Sequence, residues 1–359
     1  MLNEVAIVCI AKNEELFINE WIYYHIRLGF SKIIIYDNSD NYSLNILNYT
    51  WHGKVKVIHF PNDNNLLELE GIKKRNIQED AYNHYIKTYK KQQLNYKWVA
   101  FLDCDEFVVL TELNNIVKFL DSIPFNKGCM PINWWFFGSN GHISKSNEFV
   151  IKRFNKKSTK SHIMHKNIVC IQDVKQTLIP GHYFESTNGY YDPDGHPVEG
   201  INTSNPDKNS KKIYLAHYFV KSQEEFREKI ARGQKHVNRD NRTFDEFYIH
   251  DFNEITDLRP YNLLTCHNPI EIISLKYNEL DTHSYWLSNP DLHKNGLYSR
   301  EDLQSHYFKY GCREDRPWTN INFPYSKYIK KYPKLEHLGK NFIWYHFLVH
   351  SKDIKLKII

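Results

Sequence analysis

Short apolar runs alternate with amphipathic stretches through the first part of the chain, each bounded by polar or glycine-containing turns. Val5-Ala-Ile-Val-Cys-Ile-Ala11 is continuously apolar, as a parallel strand buried on both faces is. Asn13 is placed to cap a following helix, with Glu14 and Glu15 in its first turn, Phe17, Trp21, Ile22 and Leu28 on its inner face and Gly29 as its stop. Lys32 to Asp37 predicts a second strand, Val55 to Phe60 a third, and Trp98 to Asp103 a fourth, the last preceded by a tyrosine-rich helical stretch from about Leu66 to Leu94. This order predicts an α/β protein with a mixed, mostly parallel sheet flanked by helices.

From about Pro131 to His250 the pattern loosens into short strands and turns, and it ends in Ser222-Gln-Glu-Glu225, a capping box opening a helix that runs to Gly233. Further on, Tyr285 to Leu292 aligns with Tyr328 to Leu335, and His306-Tyr307 with His346-Phe347. Two degenerate helical repeats follow, giving a main domain over 1–270 and a small helical module over 271–359. Two repeats are too few to stand alone, so they pack on the main domain or on a second copy of the chain.

Composition narrows the class. The chain has 359 residues, 41% of them hydrophobic and 25% charged, which is enough apolar surface for a sizeable core. A net charge of +5 without a clustered basic patch or zinc-finger spacing argues against nucleic acid as a partner. Six cysteines without a Cys-x-x-Cys pair are expected as reduced thiols. No apolar run reaches the roughly 18 residues of a membrane span, and no signal core follows the N-terminus, so a cytoplasmic protein is expected.

Three strand ends carry polar residues: Lys12-Asn13-Glu14, Asp37-Asn38 and Asp103-Cys-Asp105-Glu106. In open α/β sheets ligands sit beyond such ends. Asp103 and Asp105, two positions apart in extended chain, point the same way and can face one cation. Carboxylates with open coordination positions suit Mn²⁺ or Mg²⁺ and the phosphates those ions bind. Asp105 is the expected direct metal ligand, Asp103 bridges metal and ribose, and Glu106 completes the acidic group. The same apolar–Asp-x-Asp pattern opens the haloacid-dehalogenase phosphatases, but Phe107 stands where they carry Thr or Val, and the chain has no Asp-Asp pair. A non-catalytic carbohydrate- or protein-binding module is the other alternative.

The segments Val5–Glu14, Trp21–His25, Leu28-Gly29, Ile35–Ser39, Trp98–Phe107 and Ala216–Ser222, taken in order, resemble glycosyltransferase families 2 and 92. The resemblance implies a GT-A (Rossmann-like) fold. It also implies inverting transfer from a nucleotide-sugar donor, most often UDP-linked, to a glycan or glycoconjugate acceptor. By position, Ala11, Lys12, Asn13 and Glu14 border the nucleoside, Asp37 meets base or ribose, and Gln78 is a weaker nucleotide contact. His217 corresponds to a further metal ligand, with His162, His165 and His182 as competitors, while Lys221 and Arg232 could reach a phosphate. Trp134, Trp135 and Gly138 resemble the acceptor-lining segment, where aromatic faces suit a sugar ring. The family 2 Glu-Asp base has its only counterparts in the wrong regions, Glu79-Asp80 and two pairs in the repeats, so the base stays unassigned.

Overall fold

A computed structural model describes residues 4–14, 17–39, 42–51, 53–61, 76–88, 96–146, 148–202, 204–205, 211–233 and 242–265, with 291, 292, 306, 330 and 333 besides. The strands are β1 (Glu4–Ala11), β2 (Lys32–Asp37), β3 (Val55–His59), β4 (Tyr96–Phe101), β5 (Glu106–Leu110), β6 (Cys129–Phe136), β7 (Lys156–Lys157), β8 (His165–Cys170), β9 (Val174–Ile179), β10 (Tyr183–Ser186), β11 (Ile213–His217) and β12 (Ile255–Thr256). The helices are α1 (Ile18–Leu28), α2 (Leu47–Thr50), α3 (Ile77–Thr88), α4 (Ile116–Ser122), α5 (Val150–Arg153), α6 (Gln223–Ala231), α7 (Asp245–His250) and α8 (Arg259–Thr265).

One sheet of order β3-β2-β1-β4-β8-β6-β11-β5 organises the domain, with β9–β10 and β7–β12 as small antiparallel pairs beside it. Parallel pairing joins β3, β2, β1 and β4, and again β6 and β11; β8 and β5 run antiparallel to their neighbours. The expected mixed, mostly parallel sheet is therefore present. It is also curled. Phe101 and Glu106 bound a turn whose reach is at most about 17 Å, whereas four flat strand spacings need about 19 Å.

α1 follows its predicted face, burying Ile18, Trp21, Ile22 and Leu28, and Gly29 ends it at φ 107°, donating its N–H to Ile26 O. Its start differs from expectation. Asn13 is not the cap: it takes a left-handed φ of 56° and gives its N–H to the Ser39 hydroxyl, and the helix begins at Ile18. The polar side chains of α1 have a specific task on β5, the last strand of the sheet. Trp21 Nε1 donates to Glu106 O (2.7 Å), Tyr24 OH donates to Val108 O (2.8 Å), and His25 Nε2 accepts from Val108 N (3.3 Å). An edge strand leaves backbone groups open; here one helix closes several of them.

Of the predicted tyrosine-rich helix, 77–88 is helical, and 66–75 and 89–94 lie outside the described residues. Ser222 and Glu225 form the expected capping box. The chain divides into two compact units, Met1–Lys276 and Tyr277–Ile359. The aligned repeat segments fall almost wholly outside the described residues. No described helix is long and apolar enough to cross a membrane.

Candidate active site

The pairing of β1 with both β2 and β4 sets their carboxyl ends side by side. Beyond β4 the chain turns through Asp103, Cys104 and Asp105, closed by Glu106 N–H donating to Asp103 O at 3.1 Å, and re-enters the sheet as β5. β11 then zips onto β5, with His217 opposite Glu106, and Tyr218 N–H donates to Asp105 O at 2.9 Å. Two segments remote in sequence are thus brought together by backbone pairing.

Asp105 is the centre of the arrangement. Its Oδ1 lies 3.6 Å from His217 Nε2, and its Oδ2 accepts from Lys229 Nζ at 2.9 Å. Burial alone would raise this carboxyl; Lys229 and His217 more than offset it and hold it well below the usual range. Burial in turn lowers His217, with Asp105 opposing. Asp103 is engaged differently: Lys166 Nζ stands 2.9 Å from its Oδ2, and Gln78 Nε2 donates to its Oδ1 at 2.7 Å. Glu106 is fully buried, takes Asp103 N–H on Oε2 at 2.9 Å, and has no partner for Oε1 among the described residues. Burial holds its carboxyl well above the usual range, Lys166 opposing.

The other expected residues divide. Asn13 and Glu14 line a cavity of about 210 Å³ together with Phe17, Asp105, Lys221 and Lys229. Lys12 O accepts from Arg232 Nη1, whose partner on the same nitrogen is Glu14 at 2.9 Å. Ala11 is buried at the end of β1, paired with Asp37 in β2. Asp37 is fully buried, and its carboxylate accepts Ser39 N–H and Leu44 N–H, both at 2.9 Å, which shapes the turn after β2.

Trp134 and Trp135 alternate across β6, as neighbours in a strand do. Trp134 lies against His217, ring centres 4.3 Å apart, with His162 and His182 around it. Trp135 faces away, under Lys157, whose Nζ is 3.2 Å from its ring centre, and beside Tyr214. Gly138 packs so closely that a Cβ would stand 2.3 Å from Phe252 O. His165 Nε2 bonds His182 O at 2.8 Å.

Asp105 Oδ1 and the His217 imidazole, 3.6 Å apart, are oxygen and nitrogen donors of the kind that would hold Mn²⁺, while Asp105 Oδ2 is taken by Lys229. Among the described residues no group of three or more His, Cys, Asp or Glu side chains converges, because Asp103 is drawn to Lys166 and Gln78. The sequence pattern does not single out Lys166 or Lys229. Lys229 follows the apolar Phe226 by three positions in a helix, which places both on one face; Lys166 carries no such signal.

A curled, mixed sheet that presents an Asp-x-Asp turn beside a cavity at its parallel strand ends places the protein in the class of GT-A glycosyltransferases. The family model for glycosyltransferase family 92 matches residues 6–345, and the chain belongs to that family. No curated protein matches it. Among solved structures it is similar to the X-ray structure of the mannosyltransferase Ktr4p from S. cerevisiae, with 13% identity and a TM-score of 0.23 over 38% of this chain and 41% of that one. The chain thus spans less than half of that neighbour's length, and so partial a likeness carries no argument about substrate.

Proposed function

We propose that this glycosyltransferase moves a sugar from a nucleoside-diphosphate sugar, UDP-linked, to a hydroxyl of a glycan or glycoconjugate, with inversion at the anomeric carbon. The observation that carries the reading is Asp105 set between His217 and Lys229 on the wall of the cavity at the strand ends. Breaking a sugar–phosphate bond leaves charge on a nucleoside diphosphate, and fixed opposite charge at that point lowers the barrier. Asp105 and His217 are the residues to hold a Mn²⁺ or Mg²⁺ ion, which supplies Lewis-acid neutralisation of that leaving group.

Within this reading, Asn13 and Glu14 border the nucleoside and Gln78 fixes the Asp103 carboxylate. Trp134, supported on His217, offers a ring face to the acceptor sugar. Calorimetric titration of UDP, with GDP as comparison, in the presence and absence of Mn²⁺ tests the reading. Wild-type protein is expected to bind UDP with a Mn²⁺-dependent component that Asp105→Asn abolishes while circular dichroism stays unchanged. Equal affinity in the variant would remove the metal assignment, and no binding of either nucleotide would remove the donor assignment.

A further inference from the structure

α6 is a nine-residue helix of which Glu225 and Phe226 are the buried residues. Phe226 packs on Val220 and Phe247 with Ile230 at the margin, a small apolar contact that leaves the rotation of the helix about its own axis weakly defined. That rotation matters to the site. Lys229, one helical turn beyond Glu225 on the same face, is the residue that donates to Asp105 Oδ2 at 2.9 Å. At the far end of α6 the contact of Arg232 with Glu14 is exposed, and pairs of that kind contribute little.

Glu225 is where the rotation is fixed. Its carboxylate accepts from Arg153 Nη1 at 2.8 Å and from Nη2 at 3.0 Å, and its Oε2 also takes the Ser222 N–H and hydroxyl, at 3.1 and 2.6 Å. Both side chains of the ion pair are buried, and its two parallel bonds define the plane of the carboxylate as one lysine bond does not. Burial alone would raise the Glu225 carboxyl; Arg153 and Ser222 more than offset it and hold it below the usual range.

Arg153 is itself held. Its Nε donates to Glu148 O at 3.1 Å, and its guanidinium lies 4.4 Å from the centre of the Phe154 ring. The short helix α5 that carries it hangs from α1, since Glu20 accepts the Val150 and Ile151 N–H groups at 2.8 and 3.0 Å. The next residue of α1, Trp21, donates to Glu106 O, just past the Asp-Cys-Asp turn. One helix thus holds the strand that follows the turn and, through Glu20, Arg153 and Glu225, the helix whose lysine grips the turn. A buried ion pair carries a desolvation cost that apolar packing avoids, so what this one supplies is geometry rather than stability.

We propose that Arg153 is a positioning residue of the active site: by locking Glu225 it sets the rotation of α6, so that Lys229 reaches Asp105 Oδ2 and Oδ1 stays turned to His217. The inference rests on the nucleotide-sugar reading above, in which Asp105 carries the cation at the leaving group. It adds a residue that touches neither substrate nor metal.

The test is calorimetric binding of UDP to the full chain in Mn²⁺ and in EDTA, below the melting temperature of each variant. Arg153→Lys keeps the charge and removes the fork. It is expected to remain folded by circular dichroism and to weaken the Mn²⁺-dependent binding of UDP about tenfold. Lys152→Met, on the same short helix but paired with Glu148 in solvent, is expected to bind as wild type. In a Lys229→Met background, Arg153→Lys is expected to lower the melting temperature again and the affinity no further, because its effect on binding passes through Lys229. Wild-type affinity in folded Arg153→Lys overturns the proposal and leaves the donor reading standing, as does a loss that simply adds to that of Lys229→Met. Should Lys229→Met not fold or not bind, the comparison of Arg153→Lys with Lys152→Met decides alone. Should Arg153→Lys not fold, Glu225→Gln, which keeps an oxygen for Ser222 and loses the ion pair, is held to the same outcomes. Wild-type protein that binds UDP in neither buffer removes both readings.

Discussion

At the scale of single residues, the site is governed by how buried charge is shared. Asp105 divides its two oxygens between a histidine and a lysine, and Asp103 divides its own between a lysine and a glutamine. The aspartates were legible in the sequence because an apolar run ends on them; Gln78 entered only as a nucleotide contact implied by the family resemblance, and its bond to Asp103 is a finding of the structure. Lys229 was not, since its partner lies 124 positions away and only the fold brings the two together. Asp37 shows the opposite limit: its place at a strand end is plain from sequence, but whether its carboxylate faces a ligand or its own turn depends on where Ser39 and Leu44 point their N–H groups.

His25 supplies a prediction at the same scale. Burial pulls its pKa down to about 3, so the ring is neutral in the fold, with Nδ1 donating to Trp21 O and Nε2 accepting from Val108 N. In the unfolded chain it titrates near 6.5, so between about 6.5 and 3 only the unfolded state binds the proton. Stability is therefore expected to fall with decreasing pH by about 1.4 kcal/mol per unit from this residue. Urea midpoints at pH 7, 6 and 5 should show that slope reduced in His25→Gln; an identical slope would refute the assignment. Gly138→Ala is expected to cost on the order of 1–3 kcal/mol, since its methyl group must displace Phe252 O. Thermal melting measures it.

At the scale of elements, α1 and β5 act as one unit. The Trp21-to-His25 segment, read in sequence as part of an amphipathic helix and of a family resemblance, gains a further physical reason: its polar tips bond the backbone of the strand that follows the Asp-Cys-Asp turn. β1, β2 and β4 were readable because each is a continuous apolar run. β8 was not, because a fully buried strand that begins His165-Lys166-Asn167 breaks the hydrophobic pattern; Lys166 reaches Asp103, His165 Nε2 bonds His182 O, and Asn167 Nδ2 donates to Gly181 O. The capping box was readable because Ser222 and Glu225 stand at its fixed spacing. Ser222→Ala is expected to remove about 1 kcal/mol of stability by freeing the first turn of α6; a wild-type denaturation curve would show the cap to be idle.

At the scale of the whole molecule, the chain separates into Met1–Lys276 and Tyr277–Ile359, and every residue of the site described above belongs to the first unit. Residues 1–276 expressed alone are expected to unfold in one cooperative transition and to retain the UDP affinity of the full chain. Loss of that affinity in a folded fragment would assign part of the donor site to the second unit. Acceptor use is the property free to change on truncation, and product analysis with a panel of glycan acceptors reads it.

The backbone bond from Tyr218 to the carbonyl of Asp105, in register with the β5–β11 ladder, has a bearing on kinetics. The separation between His217 and the aspartate is set by main-chain pairing, which belongs to the fold itself. If a nucleoside diphosphate binds here as proposed, a turn already fixed by main-chain pairing is expected to need no ordering step, and the association rate is then expected to fall as added salt screens the charges around it.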